Sequence, residues 1–550
     1  MYKLFLVVGF FFIFHALDAV PLDSSQIAEI IRFRIETDPP GEKLKIRNTT
    51  LLTTDDVINF YTDRYFEEVW SVEGILSELA YALRFEIKQS QFDGLNPRDY
   101  NLEAIDGFFS KFETNMAMGK SNDPGDLADL DMLLSDAFFH LASHLEIGKV
   151  DPSLIDEEWE IQRKEQLVYY PDLLDEAIAS GQIRQTLETL YPKFPVYKRG
   201  REVLRALVEE EKEDSLNWKK VKVSKALKVG DTNNDIPILR ERLQYWGLLD
   251  QYEVKEPKLY DSVMMAGIKD FQGYHGMVID GVIGKVTAAA LNDSPQAKID
   301  KARVNLERLR WLPDTVENAE FILVNIANFQ LDYFKNLDTL LTERVIVGRK
   351  YHETPIFMEE MSYIVFSPYW NIPYSITRGE IIPSARKNPN YINSKNMEVV
   401  TPAGQVVDPN SIDWHSKSFP YLVRQKPGPG NSLGLVKFMF PNKHNVYIHD
   451  TNARSLFAND DRSRSHGCIR IQNPADFAKM LLRDEPEWTM ERINEAMSQT
   501  HEQVVKLKKP IPVVLVYLTF WADSKGEAHF RDDIYERDQA VLMALNEKSS

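Results

Sequence analysis

The sequence predicts a multidomain α+β chain: an N-terminal α-helical domain over residues 24–227, a compact three-helix unit over 228–295, and a β-rich domain over 318–498 carrying an inserted lid subdomain. Three observations lead there. The 550 residues, 43% hydrophobic and 27% charged, are globular in composition, and at about 100–200 residues per domain they leave room for three or four cores. Apolar residues recur at helical spacing up to about residue 227. Beyond 318 the apolar runs become short, β-branched or aromatic, and bounded by turns.

The chain opens with Lys3, an apolar run over residues 4–14 and small residues at Ala16 and Ala19, which reads as a signal peptide over 1–19. The run falls short of the roughly 20 apolar residues that span a bilayer, so an uncleaved N-terminal anchor is the alternative and the only membrane attachment expected. The mature chain is expected to be soluble and exported. Within 24–227, amphipathic stretches such as 127–145 and 173–190 are separated by Pro97, Pro124, Pro152, Pro171 and Pro192. His140 and His144 have metal-ligand spacing, but Leu141 stands where a zinc-protease helix carries glutamate and no third ligand is evident. They are read as packing residues, and no metal site is expected.

In the unit over 228–295, Ile236, Leu239, Leu243 and Trp246 mark one helical stripe and Met264, Ile268 and Phe271 another. Asp280-Gly281-Val282-Ile283-Gly284 then turns the chain and places Thr287 in the opening of a third helix. A connecting helix is expected over 296–317. In the β-rich domain, strands are expected at 321–326, 341–347, 363–366, 435–440 and 445–448, and a long Asn/Pro/Ser-rich stretch over 378–431 reads as a lid or small subdomain. A final strand near 511–521 and a charged tail fill 499–550.

With 65 Lys and Arg against 83 Asp and Glu, the net charge of −18 argues against nucleic acid as a partner. The lone cysteine, Cys468, excludes an intramolecular disulfide and a cysteine zinc cluster. Its surroundings are those of a nucleophile. Tyr447-Ile448-His449-Asp450 closes a strand, and Arg464-Ser465-His466-Gly467-Cys468-Ile469-Arg470 follows a polar loop. A cysteine nucleophile needs a base and an oxyanion donor. His449 is the candidate general acid/base and the Gly467 amide the candidate donor. His466, two residues from Cys468 in an extended segment, would share its side as a second base or buried orienter. Tyr447, Ser465 and Arg470, with Trp414, Tyr421 and Tyr369 lining the lid, are candidate substrate contacts.

These residues carry two resemblances. The order Gly230-Asp231, Leu239-Arg240-Glu241-Arg242-Leu243, Tyr260-Asp261, Phe271-Gln272 and Asp280-Gly281-Val282-Ile283-Gly284 resembles the three-helix peptidoglycan-binding module. His449 with Ser465-His466-Gly467-Cys468 and Arg470 resembles the signature of YkuD-type L,D-transpeptidases. Asn305-Leu306-Glu307-Arg308, Arg310-Trp311-Leu312-Pro313, Tyr369-Trp370-Asn371-Ile372-Pro373 and Arg531-Asp532-Asp533-Ile534-Tyr535 resemble the large, multidomain YcbB-like branch, from about residue 55 onward.

The resemblance implies a Gram-negative periplasmic enzyme that takes a peptidoglycan tetrapeptide stem as donor and the diaminopimelate amine of a second stem as acceptor. It implies a thioester on Cys468, acylation by carbapenems, no cofactor, and a backbone-carbonyl role for Asp450. Many shorter relatives carry asparagine where Arg470 stands. Other cell-wall enzymes are further candidate partners. The alternatives are a cell-wall cysteine L,D-carboxypeptidase or endopeptidase, and a non-catalytic peptidoglycan-binding scaffold. In the common cysteine wall hydrolases the nucleophile precedes its histidine, the reverse of the order here.

Overall fold

A computed structural model describes residues 24–37, 42–314, 320–336, 338–388, 390–416 and 418–548. The signal segment expected over 1–19 lies outside them. The described residues divide into two compact units, one drawn from within Met1–Lys149, Glu165–Tyr191 and Leu545–Ser550, the other from within Val150–Lys164 and Pro192–Ala544. Among the described residues no helix is long and apolar enough to cross a membrane.

The first unit is built around the helix Pro124–Ile147. Asp123 caps it by accepting the amides of Gly125 (2.9 Å) and Asp126 (3.2 Å), Pro124 opens it, and Gly148 at φ 82° ends it. Nearly every side chain along it is buried, because helices Ser24–Thr37, Thr54–Asp63, Glu78–Gln89, Leu102–Ala117 and Tyr170–Ser180 surround it. His140 and His144 pack their rings 4.1 Å apart, and the Tyr100 hydroxyl meets His144 Nδ1 at 3.0 Å. The helical unit ends before the expected boundary at 227. Helix Pro195–Glu211 packs in the second unit on helix Pro295–Arg310, where the missing Cβ of Gly200 admits Leu306 and Phe520.

In the second unit, helices Ile236–Tyr245, Ser262–Tyr274 and Lys285–Ala290 close over Leu239, Leu243, Tyr260, Met264, Ile268, Phe271 and Ile283. Gly281 at φ 70° makes the turn, and its carbonyl accepts the Tyr260 hydroxyl at 2.6 Å.

The β-rich part is a nine-stranded sheet. Its order is Ser463–Ser465, Asp338–Gly348, Ile469–Ile471, Ile448–His449, Val436–Met439, Met358–Phe366, Gln503–Val516, Glu320–Asn325, Gln330–Lys335. The last strand pairs back onto Asp338–Gly348, so the sheet closes on itself and both faces are sorted by the period-two alternation of each strand. The strand expected near the C-terminal end is the longest, Gln503–Val516. It lies inside the sheet between Met358–Phe366 and Glu320–Asn325 rather than at a separate tail. The expected lid is a folded subdomain that begins earlier than 378: Trp370–Asn371, Met397–Val400, Val406–Val407 and Leu422–Gln425 form a four-stranded sheet, with helices Ile382–Lys387 and Tyr391–Ser394 packed over Ile381, Ile392, Val399 and Val423.

Candidate active site

The site grows from one parallel strand pair. Ile448 registers with Ile469 and His449 with Arg470. Ile448, Ile469 and Ile471 are fully buried in the sheet core. Alternation therefore turns Tyr447, His449, Cys468 and Arg470 to the opposite, shared face.

The loop before Cys468 is held by its own side chains. Ser465 is 1% exposed; its hydroxyl accepts the Gly467 amide at 3.0 Å and donates to the Cys468 carbonyl at 2.5 Å. The Thr354 hydroxyl donates to the Gly467 carbonyl at 2.8 Å, and the Arg349 amide donates to the Ser465 carbonyl at 3.1 Å. Gly467 sits at φ 112°, a conformation open to glycine, and it bends the chain between His466 and Cys468. Three expectations change here. Ser465 clasps the loop and is buried away from substrate. The Gly467 amide is already taken by Ser465 instead of facing an oxyanion. His466 is exposed, because the bend breaks the extended spacing that would have put it beside Cys468.

His466 is spoken for. The Arg349 guanidinium lies 2.8 Å from its Nε2, and a guanidinium only donates, so Nε2 is the acceptor and the ring is neutral. Burial, then Arg349 and His352, lower its pKa, and Glu380 of the inserted subdomain opposes them. Arg349 and Thr354, both positioned by the end of strand Asp338–Gly348, had no signal in the sequence. Each lies more than one hundred positions from the motif it supports.

His449 is buried, and its Nδ1 meets the Asp450 carbonyl at 2.5 Å. A carbonyl only accepts, so Nδ1 carries the hydrogen and the lone pair of the neutral ring is on Nε2. Burial, then the charge of Arg470, push its pKa down to about 3, against the carbonyls of Asp450 and Leu433. The Asp450 carboxylate is engaged elsewhere: it accepts the Leu435 amide at 2.9 Å and Arg454 at 2.8 Å. It packs so tightly on Gly434 (φ 64°) that a Cβ there would come within 2.3 Å of Oδ2. Asp450 thus reaches His449 through its backbone.

Cys468 is half-buried, with Sγ 3.8 Å from the Asn445 carbonyl. Burial raises its pKa; the Tyr447 amide and hydroxyl and the Arg470 charge work against that rise. Arg470 is itself half-buried, and its Nε has no hydrogen-bond partner among the described residues. The resting pair is a neutral thiol and a neutral imidazole carried on one face of the sheet.

The lid aromatics have other work. Trp414 is 6% exposed, donates Nε1 to the Pro409 carbonyl at 3.1 Å and stacks on Phe419, whose edge Tyr421 meets. They are core of the inserted subdomain. Tyr369 lies at its base, under the Arg424 guanidinium at 4.4 Å and with its amide 3.1 Å from Glu502. Among the described residues no hydrogen bond or ring contact joins these three to Cys468 or His449. A metal-ligand grouping occurs at Asp523, Glu527 and His529, within 4.8 Å of one another. There Asp523 is occupied with His529 Nε2 at 3.1 Å and the amides of Lys525 and Glu527, bracing the turn between strands Phe520–Ala522 and Ala528–Phe530.

Three stretches of the chain match known protein families. Residues 319–498 match the family model described as "L,D-transpeptidase catalytic domain", 232–291 match "Putative peptidoglycan binding domain", and 55–204 match "Scaffold domain". Over 246 residues the chain is 36% identical to a Haemophilus influenzae protein named "Putative L,D-transpeptidase"; the match covers 44% of this chain and 49% of that protein. The chain thus spans about half the length of that relative. An L,D-transpeptidase crystal structure from Xylanimonas cellulosilytica is 12% identical at a TM-score of 0.17, covering 54% of this chain and 100% of its own. One from Stackebrandtia nassauensis is 13% identical at 0.21, covering 54% and 97%. The chain therefore carries, at 319–498, a YkuD-family L,D-transpeptidase catalytic domain, joined to a peptidoglycan-binding domain and a scaffold domain.

Proposed function

We propose that the protein is a cysteine L,D-transpeptidase that joins two peptidoglycan stems through a direct bond between diaminopimelate residues. One observation carries this reading: the parallel pairing of Ile448–His449 with Ile469–Ile471 sets the only thiol of the chain on one face with a neutral histidine whose Nδ1 is fixed by a backbone carbonyl. His449 Nε2 takes the Cys468 proton as sulfur attacks the carbonyl between diaminopimelate and the terminal D-alanine of a tetrapeptide donor. The Tyr447 hydroxyl and the Arg470 charge stand beside the sulfur and favour its anionic form.

Collapse of the tetrahedral adduct breaks the amide bond, and His449 returns the proton to the departing D-alanine amine. The thioester is next attacked by the side-chain amine of a second stem. His449 takes that proton and hands it back to sulfur, so the thiol is regenerated. The acyl group keeps much of the energy of the broken amide, so no external energy source is needed. The leading segment over 1–19 supports export, and the resemblance to the YcbB-like branch supports the periplasm of a Gram-negative envelope as the setting.

The test is to incubate the full chain with purified tetrapeptide muropeptide and read products by mass. A dimer lacking one D-alanine is expected. Monomer shortened by D-alanine alone would reassign the protein as a carboxypeptidase, and internal cleavage of the stem would reassign it as an endopeptidase.

A further inference from the structure

Between Lys149 and Glu165 the chain leaves the helical unit. Val150–Lys164 pack in the second unit, although they lie inside the stretch 55–204 that matches the scaffold-domain model. Val150, Trp159 and Ile161 of this excursion are buried, and Trp159 meets Trp311 edge-on at 4.9 Å. The Val150 amide donates to Glu307 at 2.7 Å. Its other polar ties converge on the two segments that hold Cys468.

The first segment is the one that carries Thr354. The Ile356 amide donates to the Glu158 carbonyl at 3.0 Å, and the Ile356 carbonyl accepts the Glu160 amide at 2.7 Å, so Trp159 and Ile356 form a parallel bridge. Two residues earlier, the Thr354 hydroxyl holds the Gly467 carbonyl at 2.8 Å. Arg537 joins Asp156 of the excursion, at 3.3 Å, to Glu353, at 2.6 Å. The Glu353 carbonyl lies 3.5 Å from the point where a Cβ on Gly467 would stand.

The second segment is the turn before the strand of His449. Glu160 Oε2 lies 2.7 Å from His444 Nε2 and Oε1 2.9 Å from Lys443 Nζ. Burial would raise the Glu160 carboxyl, but the hydrogen bonds of Lys443 and His444 hold it below its ordinary value. A carboxylate only accepts, so His444 Nε2 carries the hydrogen. Lys443 is exposed and its pair is screened by water, whereas His444 is half-buried and its ring lies 5.2 Å from that of Phe357. Asn442 fixes the backbone of the turn by accepting the amides of His444 at 3.0 Å and Val446 at 3.1 Å. Asn445 sits at φ 55°, a left-handed conformation that costs free energy unless its surroundings hold it. Its carbonyl is the acceptor 3.8 Å from Cys468 Sγ, so the thiol hydrogen points there.

We infer that Val150–Lys164 braces the Cys468 centre and that Glu160 is a positioning residue, acting through His444 on the Asn445 carbonyl that orients the thiol. A displacement of about 1 Å at a reacting atom costs on the order of a hundredfold in rate, so a hydrogen bond that fixes the neighbour of Asn445 is felt at sulfur without touching substrate.

This inference rests on the reading of Cys468 as the acyl carrier, and its test separates the two. The full chain is prepared as wild type, Glu160→Ala and Glu160→Gln; glutamine keeps an oxygen that accepts the His444 hydrogen and loses only the charge. Turnover of a tetrapeptide donor gives kcat and KM, and amide hydrogen exchange is followed on peptides covering 440–448 and 464–470. In Glu160→Ala, kcat is expected to fall about tenfold with KM within twofold of wild type, and exchange to quicken in both peptides. Glu160→Gln is expected to stay within twofold of wild type in every measure. Unchanged kcat and exchange in Glu160→Ala overturn the inference, as does a lower melting temperature with kcat per folded molecule unchanged. A rise in KM that accounts for the whole loss would make Glu160 a substrate contact, and a glutamine variant as impaired as alanine would make its charge the active feature; either overturns the positioning role. A wild-type chain that turns over no donor overturns the acyl-carrier reading alone, and exchange in the two peptides then decides the brace by itself.

Discussion

Two sets of buried polar groups in this chain are treated in opposite ways. In the helical unit, Asp131 accepts the Tyr61 hydroxyl at 2.6 Å and the amides of Val69 and Trp70 at 3.1 and 2.8 Å. Asp136 likewise accepts the amides of Leu52 and Thr53 and the side chains of Thr53 and Asn101. These carboxylates bind loops to the central helix, with their oxygens committed. In the sheet that carries Cys468, by contrast, Sγ lies 3.8 Å from the Asn445 carbonyl with the Tyr447 amide and hydroxyl as its other polar neighbours, and Arg470 Nε has no hydrogen-bond partner among the described residues. Burial perturbs both sets, so a shifted pKa alone does not mark function. At Cys468 the distinguishing feature is chemical: a hydrogen-bonded loop presents a thiol on the same face as a neutral imidazole.

The comparison is most directly strained by His449→Ala. Acylation of Cys468 by a tetrapeptide donor is expected to fall by about 10²–10⁴-fold, with the melting temperature little changed, because the proposed role of the ring is proton transfer and the Asp450 carbonyl it leaves is a single acceptor. A loss of stability in proportion to the loss of rate, seen in thermal melts, would place His449 with the structural set. Asp131→Ala should do the reverse. It strands three buried donors and is expected to cost about 3 kcal/mol in denaturant unfolding of the helical unit while leaving the acylation rate per folded molecule unchanged.

A pH series gives a smaller and sharper effect. Burial holds the Cys468 thiol above its usual range, so below that pKa the thiolate fraction rises up to tenfold per pH unit. Alkylation by iodoacetamide is expected to keep accelerating from pH 7 into the alkaline range. A plateau already reached at pH 7 would mean a preformed thiolate and would contradict the neutral resting pair.

How much was legible in the sequence follows from distance along the chain. The Cys468 motif was readable because thiol, glycine and histidine are adjacent, and His449 through the resemblance of the two segments taken together, although residues 450–468, with a 3-10 helix and the strand Ser463–Ser465, lie between the strands they pair. The three-helix unit was readable from its apolar stripes and the turn at Gly281. The position of strand Gln503–Val516 inside the sheet was not, since its partners begin at 320 and 358. The clasp by Ser465 was hidden too: a serine beside a nucleophile invites a substrate role, and only the bend at Gly467 shows its hydroxyl spent on the loop. Aromatic residues in the inserted segment suggested a wall for substrate. Trp414 and Phe419 instead form the small core that lets about fifty residues fold as a subdomain.

The central claim is that Cys468 becomes the acyl carrier, and intact-protein mass after brief incubation with a carbapenem or a tetrapeptide donor tests it most directly. The account predicts one added acyl mass per chain, mapped to the peptide containing Cys468, absent in Cys468→Ser and strongly slowed in His449→Ala. An unmodified wild-type chain that nevertheless cross-links stems, or an adduct that persists in Cys468→Ser, would contradict it.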